Sequence, residues 1–463
     1  MFREDFSSPC PLCPGESQTQ RSLRPSVISV LRLLRHRAHG EVRFGCGTAA
    51  LFTMERTSIS TLALQNHVTF AKVLWVWLLL GITSSGVSLL RAQSKSPYGP
   101  SPVIQSADWD FKHLIRLANT PGKGGSDLWP TTWAADGNIY TGWGDGGGFS
   151  GASDNIGRVS LGFARIIGSP PQVQGVNVWG HYPKYAEHPA TFCGKPVSML
   201  SVGGVVYAWV SSWFNESAAN FIHCPSNPNP IEHRLAWSHD LGATWTLSPW
   251  KLEQPQGVVV WSCFLNFGAN SGNARDQYVY LYWRIQGEDS VTYLSRVLPA
   301  DLQRDPATPG VYEYYAGLSL GEPRAGQGPA WTSQASRARP VFLDPGPRGI
   351  THVVHDFALR RYIASVQGRS VGETGLFDAP EPWGPWTTIA YYQNWGGFGK
   401  RESLGVDFPT KWITQDGKTM WAVFSGGRLK GSDDMLDSFN LVKVTLTIRR
   451  NPRDESRITM PAL

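Results

Sequence analysis

The sequence predicts an all-β fold, a five-bladed β-propeller forming a single large domain over residues 102–463. Three observations carry that prediction. The 463 residues include 49 Gly, 33 Pro and 20 Trp but only 17% charged residues, a balance of turns and aromatics that suits sheets better than helices. A strand, a short turn and a second aromatic-rich strand recur five times. They are TTWAADGNIYTGWGDGG (131–147), PVSMLSVGGVVYAWVSS (196–212), FLNFGANSGNARDQYVYLYW (264–283), HVVHDFALRRYIASVQG (352–368) and PTKWITQDGKTMWAVFSGG (409–427). No long amphipathic helical pattern interrupts them.

In chain order, residues 1–92 form an N-terminal extension. Its apolar run, Val73–Ile82, is shorter than the roughly 20 residues a membrane span needs, and small or polar residues follow it to Ala92. That order is the order of a secretory signal, with Met54 as the expected start. The alternative is a cytoplasmic tail on a signal-anchor, so the membrane enters only through an uncleaved N-terminal anchor. A secreted or extracellular location follows. Residues 93–101 (QSKSPYGPS) read as a linker. Each repeat then supplies two inner strands, with turns near 137, 203, 272, 358 and 416, and leaves room for two outer strands. Phe439–Ile448 alternates apolar and polar and is expected to close the ring with the segment around Phe111–Leu117.

The net charge of +6 belongs to the extension. Residues 1–92 hold 10 Lys+Arg and 5 Asp+Glu, which leaves 32 against 31 for the rest. A nucleic-acid partner is therefore not expected. Of the cysteines after the extension, Cys193, Cys224 and Cys263, an oxidising compartment allows one bridge, such as Cys193 with Cys224, and leaves one thiol. No metal and no other cofactor is expected. Cys10 and Cys13 lack a second pair at zinc spacing, and His352 and His355 have no partner at ligand spacing.

The chemistry centres on the first hairpin, SDLWPTTWAADGNIYTGWGDGGGF (126–149). Asp136-Gly137 has turn chemistry between strands Trp129–Trp133 and Ile139–Trp143. A turn centred there sets Asp127 and Asp145 facing, or nearly facing, across the hairpin mouth, roughly 5–7 Å apart. Two carboxyl groups that close push one another's pKa apart and can supply an acid and a base. Both also read as solvated strand ends. Asp127, Lys195, Arg339 and Asp407 fall just before or at the start of inner strands, so they are expected at one mouth of the channel, with Glu187, Glu402 or Asp407 as alternative partners for Asp127. Trp129, Trp395 and Trp179 are candidate sugar platforms or inter-blade packing. Arg158, Lys195 and Arg339 are candidates for acidic sugar substituents or for salt bridges to the acids.

Ser238-His-Asp240-Leu-Gly242-Ala-Thr244-Trp245 resembles the Asp-box turn of sialidases and many other propellers, which points to architecture rather than activity. Together with GRVSLGFARI (157–166), FPTKW (408–412) and the 126–149 hairpin, it makes residues 102–449 resemble a bacterial domain-of-unknown-function family. That family is propeller-shaped and glycoside-hydrolase-like, and some members are endo-acting D-arabinanases. The resemblance places the family's acidic residues on Asp127 and Asp145. It implies hydrolysis of a polysaccharide or oligosaccharide by a monomer. The chain departs from the arabinanase pattern at Gly146-Gly-Gly-Phe149. A non-catalytic carbohydrate-binding propeller is the competing expectation.

Overall fold

The computed structural model describes residues 96–117, 126–150, 159–180, 186–211, 232–288, 290–318, 329–346, 348–368, 373–397, 403–426 and 437–449. The extension 1–92 with its apolar run, Cys10, Cys13, Arg158, Cys224 and Glu402 lie outside them. The described residues are all-β and contain no α-helix.

The strands form five antiparallel meanders among the described residues. The first runs Asp127–Trp133, Ile139–Gly146, Val159–Ser169, Gln172–Gly180. The second runs Lys195–Val202, Val205–Ser211, His233–Ser238, Thr246–Leu247. The third is Gly257–Asn266, Val279–Ile285, Val291–Val297, Tyr312–Leu318. The fourth is Arg348–Asp356, Arg361–Gly368, Thr374–Ala379, Thr387–Tyr392. The fifth is Ser403–Asp407, Thr419–Gly426, Phe439–Ile448, Ile104–Trp109. The leading strand of each meander lies against that of the next, and Ser403–Asp407 lies against Asp127–Trp133, which closes a ring about a central axis.

Local chemistry explains the meanders. All five turns expected near 137, 203, 272, 358 and 416 fall between a leading strand and its second strand. In four of them an aspartate fixes the bend; in the fourth meander it is Asp356, which accepts from the Leu359 amide at 3.0 Å. Asp136 accepts from the Asn138 amide at 3.0 Å and from the Tyr140 hydroxyl at 3.0 Å. Asp276 accepts from the Tyr278 amide at 3.0 Å and the Tyr280 hydroxyl at 2.7 Å, and Asp416 accepts from the Lys418 amide at 3.1 Å. Such a side chain stands in for a backbone acceptor and is available in the unfolded chain too, so the bend is locally encoded.

The core lies between neighbouring meanders. Val197, Tyr207, Trp209 and Leu235 of the second meet Trp261, Phe264, Leu281 and Trp283 of the third. Each fully buried apolar side chain of this size stabilises by roughly 1.5–3 kcal/mol or more. The segment Ser238–Trp245 folds on itself. Thr244 donates its amide and hydroxyl to Asp240, the Gly242 amide donates to Ser238 Oγ at 2.7 Å, and Trp245 stacks on Phe163 of the first meander at 3.9 Å.

The ring closes as the alternation of Phe439–Ile448 predicts. That strand pairs with Ile104–Trp109 along one half and with Ile115–Leu117 along the other. Residues 98–101 lie against the fourth meander. Thr388 donates its amide to Gly99 O and its hydroxyl to Tyr98 O, and buried Ser101 donates to Asp378 at 3.0 Å.

Candidate functional site

The first hairpin departs from its expected register, and the departure builds the site. Near the tip the pairs are Thr131 with Thr141 and Trp133 with Ile139. Between Leu128 and Thr131 the ladder shifts, so Asp127 faces Gly144 and not Asp145. The shift is a bulge in which Leu128 and Trp129 have φ of 75° and 60°; Asp145, one position beyond the partner glycine, has φ of 54°. Left-handed backbone costs a residue with a Cβ on the order of 1–3 kcal/mol, so three such residues in one hairpin need support.

That support comes from the fifth meander. Leu128 donates its amide to Ser425 Oγ at 2.9 Å. Thr131 donates its amide and its hydroxyl to Asp407 Oδ2, both at 2.7 Å, while Asp407 Oδ1 accepts from the Phe408 amide at 2.8 Å. The amides the bulge removes from the ladder are therefore satisfied from the adjoining sheet.

Asp127, Asp145 and Lys195 meet around Gly144. A Cβ on Gly144 would stand 2.6 Å from Asp127 Oδ1 and 3.1 Å from Lys195 Cδ, so only glycine leaves room for both. Lys195 is 4% exposed, and its ammonium forms an ion pair with Asp145 and reaches Ser160 O at 3.4 Å. Both aspartates are half-buried. The arrangement is thus two carboxyl groups and one cation about a single backbone position. It can hold a polar ligand by hydrogen bonds and keep a compensated negative charge beside it.

The glycines after Asp145 hold the same corner. Gly148 donates its amide to Ser126 Oγ at 2.8 Å, and Asn177 accepts from the Phe149 amide and donates to Gly147 O, each at 2.8 Å.

Other sequence candidates fall elsewhere. Trp129 is 0% exposed and Trp395 and Trp179 are 1% exposed, so they are packing residues and not sugar platforms. Trp129 lies among Trp143, Phe149 and Phe439; Trp395 among Trp109, Phe111 and Phe424; Trp179 among Phe163 and Phe192. Asp407 ends its strand instead of starting it and is 3% exposed, so it braces the bulge and offers nothing to a ligand at the rim. Arg339 is exposed, donates its amide to Tyr315 O, and precedes a short strand of the third sheet, because the fourth meander starts only at Arg348. Glu187 is exposed beside the outer strand Gln172–Gly180, where Arg165 stands 4.0 Å away. Cys193 is disulfide-bonded to a partner outside the described residues, and Cys263 is a buried thiol whose pKa burial pushes up.

Sequence reasoning missed three contributors: Gly144, Thr131 and Ser425. For Gly144 the signal was available, since Gly144-Asp145 sits opposite Asp127 in any hairpin register close to the true one.

At the other end of the leading strands a second arrangement is present. Trp133, Phe267, His355, Asp356, Phe357, Thr410 and Ile413 line a cavity of about 260 Å³. Asp356 is fully buried, and burial raises its carboxyl pKa to about 6; burial lowers His355 to about 4. Among the described residues no group of His, Cys, Asp and Glu is placed to hold a metal ion.

No protein-family profile matches the sequence, and no curated protein does. Solved structures similar to the chain include a GH43_1 enzyme from Xanthomonas citri, at 11% identity and TM-score 0.41, covering 73% of this chain and 94% of that one. The catalytic domain of the Coprinopsis cinerea GH62 alpha-L-arabinofuranosidase is another, at 9% identity and TM-score 0.39, covering 75% and 98%. A third is the GH43 beta-xylosidase/alpha-arabinofuranosidase CoXyl43 from a compost microbial metagenome, at 11% and 0.39, covering 73% and 97%. Likeness at this level carries no argument about what the chain does.

Proposed function

We propose that the five meanders are the blades of a five-bladed propeller that acts as a secreted glycoside hydrolase on a polysaccharide or oligosaccharide, at the mouth where Asp127, Asp145 and Lys195 meet. The observation that carries this reading is the strained hairpin. Three left-handed residues, Leu128, Trp129 and Asp145, are held by Ser425 and Asp407 so that two carboxyl groups stand about Gly144. Strain retained in that way marks a site under functional demand. Glycosidic cleavage needs carboxyl groups flanking the bond, and Asp127 takes the part of base or nucleophile. Asp145, ion-paired with Lys195, takes the part of acid or of a charge set beside Asp127. The disulfide at Cys193 fits an oxidising compartment, and with it export through a signal near 73–92 and the monomeric state expected of such an enzyme.

One observation favours a second reading. Asp145 is engaged by Lys195 in an ion pair, an arrangement that also suits a propeller that binds sugars without cutting them. Release of reducing sugar from plant and bacterial polysaccharides by the purified domain, with Asp127→Asn and Asp145→Asn alongside, separates the two. Hydrolysis requires release that Asp127→Asn abolishes. Binding alone requires retention on the polysaccharide with no release by any of the three proteins.

A further inference from the structure

Each of the five leading strands slips against its second strand near its start. The slips fall between Leu128 and Thr131, Pro196 and Ser198, Val259 and Trp261, Ile350 and His352, and Leu404 and Asp407. A slip of this kind bends the strand and re-aims the side chains beside it, and it is common at rims and next to sites. The first slip presents Asp127. The fourth falls at His352, a buried residue with no part in the site as described above.

Three of the slipped strands meet at Gly405, which has φ of 54°. A Cβ there would stand 3.0 Å from His352 Cε1 and 3.5 Å from Leu128 O. Glycine therefore lets the imidazole ring and the Leu128 carbonyl close on one backbone position, as Gly144 does for Asp127 and Lys195. The third meander holds the ring as well. Trp261 donates its indole N–H to Thr351 O at 3.1 Å, and its ring stands edge-on to His352 with centroids 6.3 Å apart. Burial lowers the His352 pKa, so the ring is neutral at pH 7.5 and acts by its shape. Leu128 links this contact to the carboxyl group. It follows Asp127 in the chain and is left-handed, with its amide on Ser425 and its carbonyl against the Gly405 contact. A left-handed residue with a Cβ persists only while its surroundings hold it.

We propose that His352 is a positioning residue for Asp127: its ring, wedged between Trp261 and Gly405, backs the Leu128 carbonyl and keeps the bulge that presents the carboxyl group. The effect on rate rests on the hydrolase reading; the effect on the bulge does not. Hydrogen exchange of the peptide spanning 127–133, read by mass spectrometry on the purified full chain, tests the bulge. His352→Ala is expected to speed exchange there at least about tenfold, and His352→Phe, which keeps a ring, to stay within about twofold of the parent. Val366→Ala, a buried truncation on the second strand of the same meander, is expected to leave that peptide within about twofold while lowering the melting temperature. If His352→Ala fails to fold, Trp261→Phe, which removes the donor to Thr351 O, is expected to speed exchange about three- to fivefold. Where the parent releases sugar, His352→Ala should lower kcat at least about tenfold with KM within about threefold, and His352→Phe should recover most of the rate. Unchanged exchange in His352→Ala, or in Trp261→Phe where it stands in, overturns the proposal. So does equal acceleration by Val366→Ala, no rescue by His352→Phe, or a hydrolysis rate that His352→Ala leaves unchanged. Exchange that behaves as expected with no sugar released by any of these proteins upholds the wedge and overturns the hydrolase reading alone.

Discussion

The two ends of the ring are built from the same strands and solve the problem of a buried carboxylate in opposite ways. Where the leading strands start, Asp145 has Lys195 as its counter-charge, and Asp127 shares the space about Gly144 with the lysine stem. Strain is high there, and it is borne by side chains of the fifth meander. Where the leading strands end, the turns are aspartate-anchored and carry left-handed residues of their own, Asn270, Ser271 and Arg360, and Asp356 has no counter-charge among the described residues. Left-handed backbone is thus present at both ends, and what separates them is the counter-charge. The difference teaches that a carboxyl group can be kept inside the ring either by a cation, as Lys195 keeps Asp145, or by the amides of its own turn, as with Asp356.

The largest expected effect breaks the first end. Asp127→Asn should lower any glycosidase rate by at least about 10³-fold while leaving the fold intact, measured as reducing-sugar release beside a denaturation curve. Next, Lys195→Met strands Asp145 without its cation. Unfolding in urea should show a loss of about 2–3 kcal/mol, and the double variant Lys195→Met/Asp145→Asn should regain part of it. Gly144→Ala should cost about 10²-fold in activity with a smaller loss of stability, because the new methyl displaces Asp127 by a fraction of an ångström.

A pH titration sharpens the contrast at the second end. The Asp356 carboxyl titrates near 6 in the folded chain against 3.8 ordinarily, through burial. The folded state thus favours its neutral form, and its contribution to stability is present below pH 4 and is lost as pH rises through 6. His355 acts with the other sign: lowered by burial to about 4, it costs stability as pH falls from 6.5 towards 4. Asp356→Asn should therefore raise the melting temperature relative to the parent increasingly between pH 4 and 6 and level off above. A constant difference across that range would mean the carboxyl does not change charge there. The smallest effect is Phe357→Ala, within about 0.5 kcal/mol of the parent, since the ring is mostly in solvent.

Much of the architecture was legible because it is local. Asp136-Gly137 and Asp416-Gly417 announce their own turns, and the alternation in Phe439–Ile448 announces a strand that must pair on both sides. The site was only partly legible. Asp127, Asp145 and Lys195 could be brought together by hairpin geometry and strand starts, but the bulge at Leu128–Trp129 could not, because neither leucine nor tryptophan favours φ above zero. Its cause, Asp407 and Ser425, lies nearly 300 residues away. The same distance limit left Trp129, Trp179 and Trp395 open between sugar platform and packing. An aromatic that stacks on sugar and one that fills a seam between sheets have the same letter, and only the neighbouring sheet distinguishes them. Asp356 was passed over because HVVHDFALRRY reads as one more anchored turn, which it is, with its second oxygen left over.

Ile104–Trp109 is made before every other described strand of the ring and has its strand partner in Phe439–Ile448, the last of them to be made. The circle therefore cannot shut before Phe439–Ile448 has been made, and until then the four meanders between form an open arc with a free edge at each end. A segment that merely completes a sheet in the finished molecule is, during synthesis, the step on which the lifetime of that exposed edge depends.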